Sequence, residues 1–161
     1  MKKIIGLSSI FLVVDVIVKL LVKNYMIVNE SIKIIDKFFY LTYVKNTGAA
    51  WSIFSGKQIF LIIITLLVIT GLIIYLYKKK EYKNIEIIGY GLLLSGAVGN
   101  LIDRILYGYV IDYLDFYIFN YNYPVFNIAD CCIVIGIMVL FISSWRDEYG
   151  VYSRDRKHKN R

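Results

Sequence analysis

Three acidic residues stand close together in the later part of the chain: Asp112 in "YVIDY", Asp115 three residues on, and Asp130 in "FNIAD". Pro124 and Asn127 mark a helix start, with Asn127 as its N-cap. Asp130 then falls in the first helical turn, where the helix dipole favours a carboxylate and a capping role alone would account for it. Paired with Asp112 it could do more. Two carboxylates sharing a low-dielectric site do not both ionise easily, so one keeps a proton near neutral pH. Such a pair can act as acid and base on a water molecule and hydrolyse an amide without a metal or a covalent nucleophile. Asp115 reads as a loop acid near a membrane surface. Other hydrolytic routes lack their residues. The single histidine, His158, lies in a basic C-terminal stretch, and no H-E-x-x-H occurs. Cys131 and Cys132 are helix neighbours that point apart, unable to form an ordinary disulfide and too few for a metal site.

Further polar residues interrupt apolar runs, where an unpaired charge is costly. Asp15 and Lys19 are spaced i, i+4 with the acid first, so they can pair on one helix face. Asn100, Asp103 and Arg104 fall at i, i+3 and i+4 and share a face, preceded by Ser95 and Gly99, a small-residue notch for close helix approach. Both groups read as scaffold for a site nearby, and a buried network tying helices together would explain them equally well.

The elements that must position these residues are membrane spans. The chain of 161 residues is 58% hydrophobic, has one proline, and has a mean hydropathy of +0.61. Soluble domains are about 45–50% apolar. Four runs are long enough to cross a bilayer, which takes roughly 20 residues: residues 4–22, 59–77, 85–106 and 128–145. The first is too long for a signal-peptide core and carries Asp15 and Lys19, so it is expected to be retained. The expectation is an all-α polytopic membrane protein, a single four-helix domain over residues 1–161, with outer loops at 23–58 and 107–127 and a tail at 146–161.

The net charge of +7 is unevenly placed. Lys2 and Lys3, Lys78, Lys79, Lys80 and Lys83, and Arg146, Arg154, Arg156, Lys157, Lys159 and Arg161 fall on one side of a four-span chain, against Lys23, Lys33, Lys37, Lys45 and Lys57 in the first loop on the other. No Lys or Arg lies between Ile105 and Phe126. The positive-inside rule puts both termini in the cytoplasm and the two long loops outside. That placement brings Asp112 and Asp130 to one outer membrane edge. It also favours a lipid-facing anchor over nucleic-acid binding for the basic tail.

In the first loop, "KFFYLTYVKNTGAAWSIF" has aromatic and β-branched residues before an Asn-Thr-Gly turn, which predicts short strands. Gly48, Ala49 and Ala50 leave room for another backbone to approach. The sheet is expected to be small, extracytoplasmic and confined to this loop.

With these features in order, "KNTGAAWS", "GNLIDRILYGYVIDYLDF" and "FNIADCCIVIG" over four spans, the chain closely resembles the lipoprotein signal peptidases, also called signal peptidase II. The likeness covers essentially the whole chain. It implies an intramembrane aspartyl endopeptidase of the bacterial plasma membrane that cuts the signal peptide from prolipoproteins just before a cysteine carrying diacylglycerol. By motif, Asp112 and Asp130 are the implied catalytic pair. Asn46, Gly48, Asn100, Asp103, Arg104, Asn127 and Ala129 are implied site-shaping positions, as are Asp15 and Lys19. The first-loop strands correspond to the family's β-cradle over the site. The implied partners are diacylglyceryl-modified prolipoproteins and membrane lipids, with no nucleic acid, metal or cofactor, and the protein is expected to be a monomer. Three positions depart from the pattern: Val16 replaces a frequent Gln, Trp51 a Phe, and Tyr113 a Phe. The two aromatic exchanges are expected to alter pocket shape at most.

Two other classes remain. A small ion- or proton-coupled transporter would use Asp15, Asp103 and Asp130 as relay sites, though the chain has no internal repeat. A non-enzymatic assembly subunit would use the polar residues only to join helices.

Overall fold

The computed structural model describes residues 1–49, 53–119 and 121–159, with side chains through Asp147. Ala50, Trp51, Arg161 and the side chains of Arg154, Arg156, Lys157, His158 and Lys159 lie outside the described residues. The chain runs α1 (Lys2–Tyr25), β1 (Ser31–Ile35), β2 (Phe39–Asn46), α2 (Gln58–Lys78), α3 (Asn84–Tyr107), β3 (Val110–Ile118), β4 (Tyr121–Asn122) and α4 (Ile128–Lys159).

Four helices are long and apolar enough to cross a membrane, the last over Ile128–Asp147. Helices suit that solvent because they satisfy their own backbone hydrogen bonds. Their outer faces carry exposed apolar side chains such as Ile10, Ile17, Leu67, Val68 and Phe141, arranged for contact with lipid rather than water. The protein is multi-pass. Helix α4 continues past Trp145, where the apolar run ends, because hydropathy marks the edge of the lipid and not the end of the helix. Helix α3 is central and packs chiefly on α4 and α1, with α2 at its side. Small residues permit this. A Cβ built on Gly96 would strike the Ala129 backbone carbonyl of α4, so only glycine allows that approach. Ser95 and Gly99 are buried on the same helix, as their spacing implied.

Gly108 ends α3 in the left-handed conformation, φ 75°, and turns the chain straight into β3. The strands form one antiparallel sheet in the order β1-β2-β3-β4. The expectation of a sheet confined to the first loop is therefore corrected: β3 and β4 come from the second loop, and β3 is the partner of β2. Strand β3 is mostly buried along its length, so it lacks the in–out alternation that marks a strand in sequence. Where Leu41 pairs with Leu114 and Val44 with Asp112, two β2 residues oppose one β3 residue. This bulge bends the sheet beside Asp112. Beneath it Tyr43, Ile111 and Tyr113 pack on Val22 of α1, fixing the sheet to the helix ends.

Candidate active site

Helix α1 sets the base of the site. Lys19 is buried at 2% exposure, and its Nζ lies 2.9 Å from Asp15 Oδ2 and 3.0 Å from Asp103 Oδ2. Its hydrogen bond goes to Asn100 Oδ1 at 3.0 Å, leaving the Asp15 Oδ2 contact a close charge pairing without hydrogen-bond alignment. Asp15 Oδ1 accepts the Ala129 N–H of α4 at 2.9 Å, and Asp103 Oδ2 accepts the Ile111 N–H at the start of β3 at 3.1 Å. One ammonium thus holds two carboxylates that themselves anchor α4 and β3. Buried charges persist only with such partners.

Above this base, Asn100 and Asn127 divide their amide groups among the acids. Asn100 Oδ1 accepts from Lys19 and from Asn127 Nδ2 at 3.2 Å, while its Nδ2 donates to Asp130 Oδ1 at 2.7 Å. Asn127 caps α4 as predicted: its Oδ1 accepts the Asp130 N–H at 2.9 Å, and Asp130 Oδ2 accepts the Asn127 N–H at 3.2 Å. This is a reciprocal capping box. The same Asn127 side chain donates through Nδ2 to Asp112 Oδ1 at 2.7 Å.

Strand β2 completes the arrangement. Asn46 Nδ2 donates to Asp112 Oδ2 at 2.9 Å, and Asn46 Oδ1 accepts the Gly48 N–H at 2.8 Å. Arg104 Nη2 then donates to the Gly48 carbonyl at 2.9 Å, so the Gly48 peptide is held on both sides. Arg104 Nε is buried without an acceptor among the described residues. All of the residues singled out in the sequence, Asp15, Lys19, Asn46, Gly48, Asn100, Asp103, Arg104, Asp112, Asn127, Ala129 and Asp130, join one connected network.

Asp112 is 1% exposed, whereas Asp130 is half-buried. Burial, and then the Asp130 charge, push the Asp112 carboxyl from 3.8 up to about 7, against the opposing Asn46 and Asn127 hydrogen bonds. A carboxylic acid titrating near neutrality beside a second carboxylate is suited to acid–base work on water.

Two residues sit elsewhere than expected. Asp115 is not a loop acid: it lies in β3, 4% exposed, accepting a 2.5 Å hydrogen bond from Thr42 Oγ1, which in turn meets Ser31 Oγ at 2.9 Å. Acidic residues are poor strand formers, which hid this polar link across three strands. Tyr113 does not shape an open pocket. It is buried against the helices, and its hydroxyl accepts the Ile128 N–H at 3.3 Å, satisfying a first-turn amide of α4 that a Phe would leave open.

Comparison with known proteins places this arrangement in context. A family model described as signal peptidase (SPase) II matches residues 7–146. A lipoprotein signal peptidase of Halothermothrix orenii is 48% identical over 139 residues, covering 86% of this chain and 92% of the relative. One from Bacillus subtilis is 40% identical over 141 residues, covering 88% and 92%. A solved structure described as a bacterial membrane enzyme superposes with a TM-score of 0.85 at 34% identity, covering 92% of this chain and 90% of that one.

Proposed function

The chain belongs to the signal peptidase II family, and on that premise we propose that it is an intramembrane aspartyl endopeptidase. Its substrates are diacylglyceryl-modified bacterial prolipoproteins, cut just before the lipidated cysteine. The observation that carries this reading is the hydrogen-bonded bridge Asp112–Asn127–Asn100–Asp130, which ties two carboxylates into one network, the buried one holding its proton to near neutrality.

In the proposed reaction Asp130, the more open of the two, takes a proton from water as the hydroxyl adds to the scissile carbonyl carbon. Protonated Asp112 gives its proton to the carbonyl oxygen, forming a tetrahedral diol. The diol collapses as Asp130 passes its proton to the amide nitrogen, the C–N bond breaks, and a diol hydroxyl returns a proton to Asp112, restoring both carboxyls for the next cycle. The unsatisfied Arg104 Nε offers a donor for a substrate carbonyl. A diacylated substrate lives in the bilayer, and this site lies where α3 and α4 meet the sheet. We place that end at the outer face of the plasma membrane with both termini in the cytoplasm, following the lysine and arginine bias. A transporter needs acids spread across the bilayer, whereas these gather in one cluster.

The test is single-turnover cleavage of a lipidated prolipoprotein peptide in detergent. Asp112→Asn and Asp130→Asn are each expected to abolish cleavage, and the double variant to cost little more than either, because residues acting as a unit are not additive. Asp115→Asn, whose amide oxygen still accepts from Thr42, serves as control and should keep clear activity. Substantial cleavage by Asp130→Asn would reduce that residue to a helix cap and end the dyad assignment.

A further inference from the structure

At the end of the bundle away from the sheet, a cavity of about 320 Å³ opens between the N-terminus of α3 and the later turns of α4. It is lined by Lys83, Ile85, Ser143, Arg146 and Asp147. None of these takes part in the site described above.

Their chemistry is selective. Lys83 pairs through Nζ with the Asp147 carboxylate. Arg146 is exposed and has no ion pair among the described residues. Ser143 is 4% exposed and lines the cavity. Glu86, the other acid at this helix start, is taken up by Lys79 at 2.5 Å and by the Lys83 N–H at 3.0 Å. Lys83 stands at the N-cap of α3, and because an ammonium cannot accept a hydrogen bond, this helix start has no N-cap side-chain acceptor for its first-turn amides. Among the described residues the cavity therefore combines a guanidinium, a shared ammonium, a buried hydroxyl and a helix N-terminus with one carboxylate. Ile88, three residues after Ile85 on α3, and Ile142, next to Ser143 on α4, expose apolar surface, at 47% and 44%, of the kind acyl chains cover.

We propose that this cavity binds a phosphate group, with Arg146 as the main ligand, Ser143 Oγ as a second donor, and Lys83 shared between the phosphate and Asp147. Guanidinium groups match phosphate oxygens in pairs, and basic pockets between spanning helices suit the headgroups of anionic lipids. The flanking isoleucines make an anionic phospholipid the better source than free phosphate. The site is independent of the peptidase reading and stands or falls without it.

Full-length protein in dodecyl maltoside is titrated in three arms: dioleoyl phosphatidylglycerol, dioleoylglycerol with the same chains and no phosphate, and inorganic phosphate. Native mass spectrometry and melting temperature give the readouts. Phosphatidylglycerol should bind saturably and dioleoylglycerol should not. Arg146→Gln should weaken binding about tenfold, as loss of one charge-assisted contact implies. Asp147→Asn removes the competing carboxylate and should strengthen binding, a sign opposite to that of any general weakening of the bundle. Ser143→Ala provides a second loss should Arg146→Gln express poorly. Inorganic phosphate binding as tightly as the lipid supports the site with a soluble ligand. Equal binding of dioleoylglycerol, or phosphatidylglycerol binding unchanged in both Arg146→Gln and Ser143→Ala, overturns it.

Discussion

Replacing Asp112 by Asn should change how stability depends on pH, by an amount that follows from the burial of this one group. The folded protein holds the Asp112 proton up to about pH 7, whereas an unfolded chain releases it near 3.8. Between those values the folded state binds more protons than the unfolded one, so stability falls as pH climbs through that window and levels off above it. Each pH unit inside the window costs about 1.4 kcal/mol. From about pH 5 to about pH 8 the wild type should therefore lose about 3 kcal/mol that the Asn variant does not lose.

The variant carries a fixed penalty of its own. Asn46 and Asn127 each donate to one Asp112 oxygen, and an Asn amide turns a third donor toward one of them. One unmade hydrogen bond costs about 1–3 kcal/mol at every pH. The quantity to measure is therefore the difference between variant and wild type, followed by thermal unfolding in detergent across pH. That difference should move by about 3 kcal/mol in the variant's favour between about pH 5 and about pH 8, while cleavage stays abolished. Parallel stability curves would refute the perturbed carboxyl. Wild-type cleavage that keeps rising well above pH 7 would refute Asp112 as the protonated partner.

Lys19→Met leaves Asp15 and Asp103 buried without their shared cation and should destabilise the protein by about 3–5 kcal/mol, seen as a drop in melting temperature and folded yield; an abundant, stable Lys19→Met would overturn the supporting role assigned to that ion cluster. Thiols introduced at Lys79 and Asn122 should be labelled by a membrane-impermeant reagent from opposite faces, Asn122 from outside intact cells, and labelling of both from one face would discard the proposed orientation.

The helices were legible because lipid imposes a length and a composition that few other contexts impose: each of α1 to α4 contains one of the four apolar runs, and α4 extends beyond its run. The sheet was legible only in part. Strand β2 announces itself through aromatic and β-branched residues, but β3 is covered along most of its length and carries two aspartates, so neither periodicity nor propensity marks it. Its position follows instead from tertiary constraint: Gly108 turns the chain out of α3, and the Ile111 amide is caught by Asp103. Asp115 was misplaced for the same reason. Its hydrogen-bond donor, Thr42, lies 73 positions away, and no local pattern joins them.

Sequence spacing left Asp130 two readings, a carboxylate capping its own helix or half of an acid–base pair; the cap is present, and the pair proposed above would draw on the same hydrogen bonds. The capping box uses Asp130 Oδ2 and Asn127 Oδ1, which locks both side chains to the first turn of α4. With its oxygen committed there, the Asn127 amide must direct its N–H groups away from that turn, and they reach Asp112 and Asn100. Asn100, steadied by Lys19, returns its own amide to Asp130 Oδ1. Helix start and carboxylate pair are therefore built from the same hydrogen bonds. A lone cap would need only Asn127 and Asp130. The added reach to Asp112, at the cost of burying a second carboxyl, has no use in starting a helix and supports the shared-proton pair proposed above.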